Sequence, residues 1–367
     1  MKIIHWIGID DHADKWTIAQ FKANDDKPAR EFELVPDAKG YRNLIKFAKE
    51  LTGEVRIVYE AGPCGYELYR RLTKAGLKCE VAAPSLTPRK PGDRVKTNRR
   101  DAAKLARYLR AGDMLTLIVV PDQGRESLRD LVRARHAVQK DLLSIRHRIT
   151  KLVLRYGHRY REGKTAWTNR FWIWLNKIKL EGEHSQFVLA ELITAHEQRL
   201  KQRGRYDDEI EAAAKMPQYA PYVKALTVLR GIDRLSAMTI LSELGDLRRF
   251  ATAPQLMAAI GLVPSESSTG DKTTRLSITK TGNAHVRHIA VEAAWQYERR
   301  ISNGRVIRGR RKDQPRALVD IAEKCDLRLN RKFHRMTSRG KRSTVAAVAV
   351  ARELMGFIWA IGQTMNA

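Results

Sequence analysis

Asp10, Glu60 and Asp101 are three carboxylates whose settings suit shared chemistry. Asp10 ends the apolar run Ile3-Ile4-His5-Trp6-Ile7-Gly8-Ile9, and Glu60 ends Val55-Arg56-Ile57-Val58-Tyr59. Asp101 opens the helix-like stretch Asp101-Ala102-Ala103-Lys104-Leu105-Ala106-Arg107-Tyr108-Leu109. Two carboxylates at the C-terminal ends of strands and a third on a later helix can converge on a divalent cation, an arrangement suited to cutting phosphodiesters. A single Asp after a strand is usually a solvated turn residue, so the reading depends on all three together. Asn98 stands three residues before Asp101 and shares its helical face. As plain structure the pair is a helix start, with Asn98 as N-cap and Asp101 beside the positive end of the helix dipole. Lys90, Arg94, Lys96, Arg99 and Arg100 crowd the same place, as a phosphate backbone approaching a metal would require. Both readings can hold at once.

A second constellation lies far along the chain. Gly261-Leu262-Val263-Pro264-Ser265-Glu266-Ser267-Ser268-Thr269-Gly270 is a hydroxyl cluster ending in glycine, followed by Ile278-Thr279-Lys280-Thr281-Gly282-Asn283-Ala284-His285-Val286-Arg287-His288. The first stretch reads as a flexible, exposed loop. It is either an ordinary polar loop or one that presents a nucleophile, since serine or threonine can attack phosphorus once its proton is removed. The segment from Lys280 through Asn283, His285 and Arg287 to His288 reads as a phosphate-contacting turn and helix start.

The elements that must position these groups change character along the chain. Candidate strands are Lys2–Ile9, Trp16–Phe21, Glu31–Val35, Val55–Glu60, Lys78–Ala83 and Leu117–Val120, and candidate helices are Ala38–Leu51, Tyr66–Ala75 and Arg99–Ala111. Short polar turns join the first three strands, which implies antiparallel neighbours. Helix–strand–helix–strand order then implies parallel crossovers. Such a meander followed by crossovers is the order of ribonuclease-H-like domains, in which strands one and four lie side by side and bring Asp10 to Glu60.

From Gly124 the pattern is helical. Leu128, Leu131, Val138, Leu142, Ile145, Ile149 and Leu152 follow a 3-4 heptad spacing with Arg135 at the one polar seam position, a coiled-coil signature. A second helical segment, Phe187 to about Lys215, can fold back as a hairpin or pair with another subunit. Trp167, Phe171, Trp172 and Trp174 between them read foremost as a hydrophobic cap, with base stacking as the alternative. A helical domain begins near Tyr219. Within it Leu226–Thr239 looks like a helix-hairpin-helix, where Arg230 and Gly231 would bring backbone N–H groups to a phosphate, although a glycine between helices is also a common structural turn.

Composition narrows the class. The 367 residues suffice for two or three domains, and 69 Lys and Arg against 41 Asp and Glu give a net charge of +28. That excess points to a polyanionic partner. Basic residues are densest over Ile301–Val345, with 14 Lys or Arg against 4 Asp or Glu. There is neither a lipidation motif nor a signal peptide, and the most apolar stretch, Val345–Ile361, carries Arg352 and Glu353, so it reads as a buried helix and no membrane is expected. Cys64, Cys79 and Cys325 read as core or surface thiols of a reducing cytoplasm.

Taken together, Gly8-Ile9-Asp10, Tyr59-Glu60-Ala61-Gly62-Pro63, Lys96-Thr97-Asn98-Arg99-Arg100-Asp101-Ala102, Gly261-Leu262-Val263-Pro264 and Thr279-Lys280-Thr281-Gly282-Asn283 resemble the DEDD transposases of bacterial insertion sequences. That family includes the bridge-RNA-guided recombinases and is similar to the pilin-gene invertase. The resemblance covers essentially the whole chain. It implies an α/β plus all-α organisation: a RuvC-like domain over 1–120, a coiled-coil spacer over 121–218 and a C-terminal transposase domain over 219–367. It also implies Mg²⁺, a composite active site formed between subunits of a dimer or tetramer, a catalytic serine, and excision and insertion without a conventional inverted-repeat cut. In characterised relatives an element-encoded RNA pairs with target and donor DNA. This chain departs from the pattern twice. One acidic position of the family falls on Asn98, leaving three carboxylates, and the family's serine falls on Thr269, with Ser268 beside it.

The expected function is therefore DNA transposition. Asp10, Glu60 and Asp101 would hold the metal, Asn98 would assist, and Ser268 or Thr269 would form a covalent protein–DNA intermediate. A RuvC-type junction-resolving or structure-specific nuclease using metal-activated water is the rival enzyme reading. A nucleic-acid-binding regulator with merely structural carboxylates is the non-enzymatic one.

Overall fold

The computed structural model describes residues 3–84, 97–112, 115–269, 272–302 and 304–365, and the side chains of 267–269 and 272–275 lie outside that description. The chain forms two compact units, Met1–Pro121 and Asp122–Ala367.

The first unit is built on β1 (Ile4–Asp11), whose residues 5–9 are all buried. A strand buried on both faces belongs at the middle of a sheet. β2 (Trp16–Lys22) pairs with it antiparallel, and β3 (Arg30–Leu34) pairs antiparallel with β2. α1 (Ala38–Glu50) starts at Asp37, whose carboxylate accepts from the Gly40 N–H. β4 (Glu54–Glu60) then returns parallel to β1, and α2 (Glu67–Lys74) leads to β5 (Lys78–Ala82), parallel to β4. The sheet order is β3-β2-β1-β4-β5, the mixed order of a ribonuclease-H-like domain. Ile7, Ile9, Trp16, Ile18, Ile57 and Tyr59 on one face bury Leu44 of α1 and Leu68 and Leu72 of α2. On the other face Trp6, Ala19, Phe21 and Val58 pack against Ala102, Leu105, Ala106 and Leu109 of α3 (Asn98–Ala111). The sixth strand expected at Leu117–Val120 does not form. That segment makes one isolated bridge, Ala82 to Leu117, and two backbone hydrogen bonds beside β5, while Leu117 and Val119 stay exposed. Its apolar alternation reflects Ile118 and Val120 packing on the core, not a ladder.

The second unit opens with α4 (Gln123–Arg155), continues through α5 (Asn169–Asn176), and turns back along α4 as α6 (Glu183–Ala213). α4 and α6 form one long antiparallel hairpin within the chain. Leu128, Val138, Leu142, Ile145, Ile149 and Leu152 are buried as the spacing requires, while Leu131 is only partly buried and its neighbour Val132 takes the interior place. The seam's polar position is satisfied in kind, since Arg135 Nε donates to Asp207 of α6 at 2.7 Å. Phe171 and Leu175 of α5 close the far end over Ile149 and Leu152, with Trp167, Trp172 and Trp174 packed around them. The aromatic knot is a cap.

The remaining helices are α7 (Ala220–Leu226), α8 (Arg234–Leu244), α9 (Ala253–Ala259), α10 (Ala284–Ala294), α11 (Arg305–Arg311), α12 (Arg316–Ser338) and α13 (Ser343–Thr364). Between α9 and α10 the chain forms β6 (Pro264–Thr269) and β7 (Lys272–Ile278), an antiparallel pair. The hydroxyl cluster expected as a loop is thus a strand. Its Ser- and Thr-rich sequence is pleated through pairing with β7, with Ser267 opposite Thr274 and Ser268 opposite Thr273. Leu128, Val132, Ile210 and Ala213 of the helical hairpin share one core with α7 to α10, α12 and α13, so packing is continuous across the expected boundary near 218. By length and composition α13 could cross a membrane, but Ala346, Val350, Leu354, Met355, Ile358 and Ile361 lie at the centre of that core.

Candidate active site

In the first unit, strand pairing assembles the acidic edge. β1 and β4 run parallel with Ile9 opposite Tyr59, so Asp10 and Glu60 follow side by side at the C-terminal edge of the two central strands. Their side chains alternate with the buried Ile9 and Tyr59, which puts them on the face that Gly8, Val58 and α3 share. α3 lies on that face with close backbone contact: a Cβ on Gly8 would meet the Ala102 carbonyl oxygen at 2.0 Å and the Ala106 nitrogen at 2.7 Å. Near the other end of α3, Arg107 and Arg110 donate to the Asp26 and Asp25 carbonyls, in the β2–β3 turn beside the start of β1. α3 therefore runs antiparallel to β1, and its first turn stands over the edge that carries Asp10 and Glu60. Asn98 and Asp101 in that turn are partly buried, whereas Arg99 and Arg100 are exposed. The N-cap is Thr97, whose side chain accepts from Arg100 N–H, so Asn98 is the first helical residue and its amide is not the cap. That displacement frees the side chain of Asn98 from the capping role the sequence suggested.

Sequence reasoning passed over two neighbours of this edge. His12 Nε2 lies 3.2 Å from Asp10 Oδ2. Asp11, the next carboxylate, accepts from Trp16 Nε1 at 2.7 Å, and burial raises its carboxyl above the ordinary value against that bond. Asp11 is therefore tied into the fold while Asp10 faces the α3 side. Lys90, Arg94 and Lys96 lie outside the described residues.

In the second unit, Ser268 pairs with Thr273 and Thr269 with Lys272, at the distal end of the β6–β7 hairpin. The roots of the hairpin are clipped to the end of α9. Thr279 N–H donates to Val263 O at 2.9 Å, Lys280 N–H to Gly261 O at 3.1 Å and Asn283 N–H to Ala259 O at 3.1 Å. Gly261 (φ 67°) and Gly282 (φ 75°) make this clip possible, because a Cβ at either would run into backbone at 2.1 and 2.0 Å.

The residues expected to contact nucleic acid divide into two groups. Lys280 is exposed, as are Arg99 and Arg100. His285 is partly buried, its ring 5.2 Å from that of His136 on α4, which in turn is 5.8 Å from His288. Burial lowers the pKa of His285 and His136, reinforced for His136 by the charge of His285. The others face inward. Asn283 caps α10 through Val286 N–H and donates to Glu243 at 2.7 Å, and Arg287 Nη1 donates to the Ile260 and Thr281 carbonyls. Arg230 donates to Ser302 O at 2.9 Å and lies 3.5 Å from the buried Asp326, which also holds Arg311 at 2.8 Å. Gly231 (φ 82°) allows the α7–α8 turn to press against Ala293 of α10, where a Cβ would meet the carbonyl at 2.6 Å. Part of the dense basic tail is also internal, since Arg310 and Arg311 donate to the Ile232 and Val228 carbonyls of that turn.

Comparison with known proteins covers both regions. Residues 7–158 match a DEDD family described as Transposase, and residues 223–310 match the Transposase IS116/IS110/IS902 family. The first match spans the acidic edge and the second spans the hydroxyl strand and its clip. Over 361 residues, 98% of this chain and 88% of the relative, the sequence is 41% identical to "Putative transposase y4qE" of Sinorhizobium fredii. Over 350 residues, 93% of this chain and 99% of the relative, it is 30% identical to the transposase for insertion sequence element IS1533 of Leptospira borgpetersenii. The chain belongs to the IS110/IS116 family of DEDD transposases, enzymes that cut and recombine DNA.

A divalent cation is implied by the DEDD class. The donors at the acidic edge fit one in kind: carboxylate oxygens from Asp10, Glu60 and Asp101 and an amide oxygen from Asn98 are all hard ligands. Among the described residues no three His, Cys, Asp or Glu side chains are already grouped to hold an ion.

Proposed function

We propose that this transposase excises and inserts its insertion sequence through a metal-binding acidic site in the first unit and a hydroxyl nucleophile on β6, with sites chosen by an element-encoded bridge RNA. The observation that carries the reading is the pairing of β1 with β4, which sets Asp10 beside Glu60 under the first turn of α3. Asp10, Glu60 and Asp101 hold the cation, proposed as Mg²⁺, with Asn98 as a neutral oxygen donor. When bound, it supplies positive charge against the phosphoryl oxygens where negative charge builds. Arg99, Arg100 and Lys280, with the clustered charge of the +28 chain, neutralise neighbouring phosphates.

The hydroxyl oxygen of Ser268 or Thr269 attacks phosphorus. A new O–P bond forms, the bond to one bridging sugar oxygen breaks, the nucleophile loses its proton and the departing sugar oxygen gains one. Attack by another sugar hydroxyl reverses the step and rejoins DNA. Ser268 is favoured because its primary hydroxyl avoids the β-methyl that restricts χ1 of threonine. Phosphate contacts carry little base information, so sequence choice falls to RNA pairing. The division 1–120, 121–218 and 219–367 is retained as a functional one: acidic domain, coiled-coil spacer, and transposase domain with a helix-hairpin-helix-like turn at Gly231. A dimer or tetramer carries out the reaction.

Trapping the protein–DNA adduct and mapping the modified residue by mass spectrometry tests the nucleophile. Loss of the adduct in Ser268→Ala but not Thr269→Ala is the expected result, and the reverse assigns Thr269. Loss in neither removes the covalent mechanism from this strand, and metal-dependent cleavage without any adduct returns the RuvC-type nuclease. Recombination of specific sites with no RNA present overturns the guided part.

A further inference from the structure

Glu243 is a carboxylate that neither the acidic edge nor the hydroxyl strand accounts for. It sits near the end of α8 in Ile240-Leu241-Ser242-Glu243-Leu244 with its side chain 1% exposed. Burying a carboxylate is costly unless charge and hydrogen bonds are returned to it. Here they come from two directions. Arg133 of α4 donates two bonds, Nε to Oε1 at 2.7 Å and Nη2 to Oε2 at 2.9 Å, with Arg129 3.9 Å from Oε2. From the other side Asn283 Nδ2 donates to Oε2 at 2.7 Å. Burial pushes the Glu243 carboxyl up, but the bonds from Arg133 and Asn283 outweigh it and hold the group below its ordinary value.

Asn283 is the residue through which this anchor reaches the hydroxyl strand. Its Oδ1 caps α10, its backbone N–H holds the end of α9 at Ala259, and it closes the clip from which β6 and β7 emerge. We infer that Glu243 is a positioning residue for the transposition reaction: by fixing the Asn283 amide against Arg133, it sets the root of the β6–β7 hairpin and so the placement of Ser268 and Thr269 at its far end. This rests on the reading that the nucleophile is on β6. The oxygen arrangement explains why a charge is used. A bidentate guanidinium fork occupies both carboxylate oxygens in one plane, leaving a lone pair of Oε2 directed at the amide.

The test exchanges the polarity of the Glu243–Asn283 bond in the full-length protein. Asn283→Asp keeps the helix cap but sets two carboxylates against each other, and Glu243→Gln removes the charge. The double variant restores one donor and one acceptor. Three quantities are measured: amide hydrogen exchange at Thr279, Lys280 and the β6–β7 ladder, the rate of protein–DNA adduct formation, and DNA affinity. Asn283→Asp is expected to accelerate exchange at the hairpin root and to slow adduct formation about tenfold or more, a cost typical of misplaced reacting groups. DNA affinity stays at the wild-type value, and the double variant recovers most of both losses. Unchanged exchange in Asn283→Asp overturns the anchor. Faster exchange with wild-type adduct formation leaves the anchor in place but overturns its catalytic role, while the residue mapped in that adduct decides the β6 assignment separately. A loss that follows the thermal unfolding midpoint in every variant, double included, reduces Glu243 to general stability and overturns the inference.

Discussion

Gly8 of β1 and Ala102 of α3 touch backbone to side-chain position, with only 2.0 Å between the place of a Gly8 Cβ and the Ala102 carbonyl oxygen. The helix that carries Asn98 and Asp101 is thereby seated as close to the strand that carries Asp10 as a polypeptide allows. Gly8→Ala should lift α3 off the sheet. We expect a loss of about 1–3 kcal/mol of stability, the usual cost of overpacking a close contact, and a larger proportional loss of recombination. Thermal unfolding and a recombination assay on the same preparation check this, and a variant with wild-type values in both would show that α3 can move without consequence.

Removal of one carboxylate should be decisive where removal of the amide is not. Asp10→Ala, Glu60→Ala and Asp101→Ala are each expected to abolish recombination while leaving far-ultraviolet circular dichroism and DNA affinity near wild type. Asn98→Ala should retain measurable turnover, because a neutral ligand is lost. Wild-type turnover by Asp10→Ala in Mg²⁺ would sink the metal assignment.

Leu142 is fully buried in the α4–α6 hairpin, and its seam already has a partner within the chain. Leu142→Ala should therefore cost about 2–5 kcal/mol through the cavity it leaves, whatever the oligomeric state. Chemical denaturation of the two proteins, with their oligomeric state measured alongside, checks this. A folded, stable monomer produced by Leu142→Asp would place the seam between subunits instead.

Affinity for DNA should fall steeply with salt, with a log–log slope of about −0.9 for each duplex phosphate neutralised. Arg99→Ala and Lys280→Ala are each expected to weaken binding uniformly across sequences and to reduce the slope by about one unit. An affinity indifferent to salt would contradict the electrostatic reading of the +28 charge.

The acidic edge was legible because strand order followed from turn length and element order, and β1 pairing with β4 then left no freedom in where Asp10 and Glu60 lie. The β6–β7 hairpin was not, since β6 is Pro, Ser, Glu and Thr with no apolar alternation to announce its pleat, and β7 offers only Leu276 and Ile278. Glu243 escaped notice for a different reason. A charge inside an apolar helix means little until its partner is known, and Arg133 is 110 residues away. Likewise Asn283 and Arg287 read as phosphate contacts from their polarity alone, whereas the backbone carbonyls and carboxylate that engage them come from α8, α9 and the preceding turn. Residue type told which atoms could bond; only the fold told with what.

α13 has a consequence for how the protein is made. It follows every other described element, yet it supplies Val350, Leu354, Met355, Ile358 and Ile361 to the middle of the second unit, all with no exposed surface. The sheet of the first unit is complete by β5 and α3, so it can fold on the ribosome while synthesis continues. The core of the second unit cannot close until α13 has left the exit tunnel. A chain cut short before Ser343 would carry a complete first unit and a second unit whose core residues lack their partners on α13.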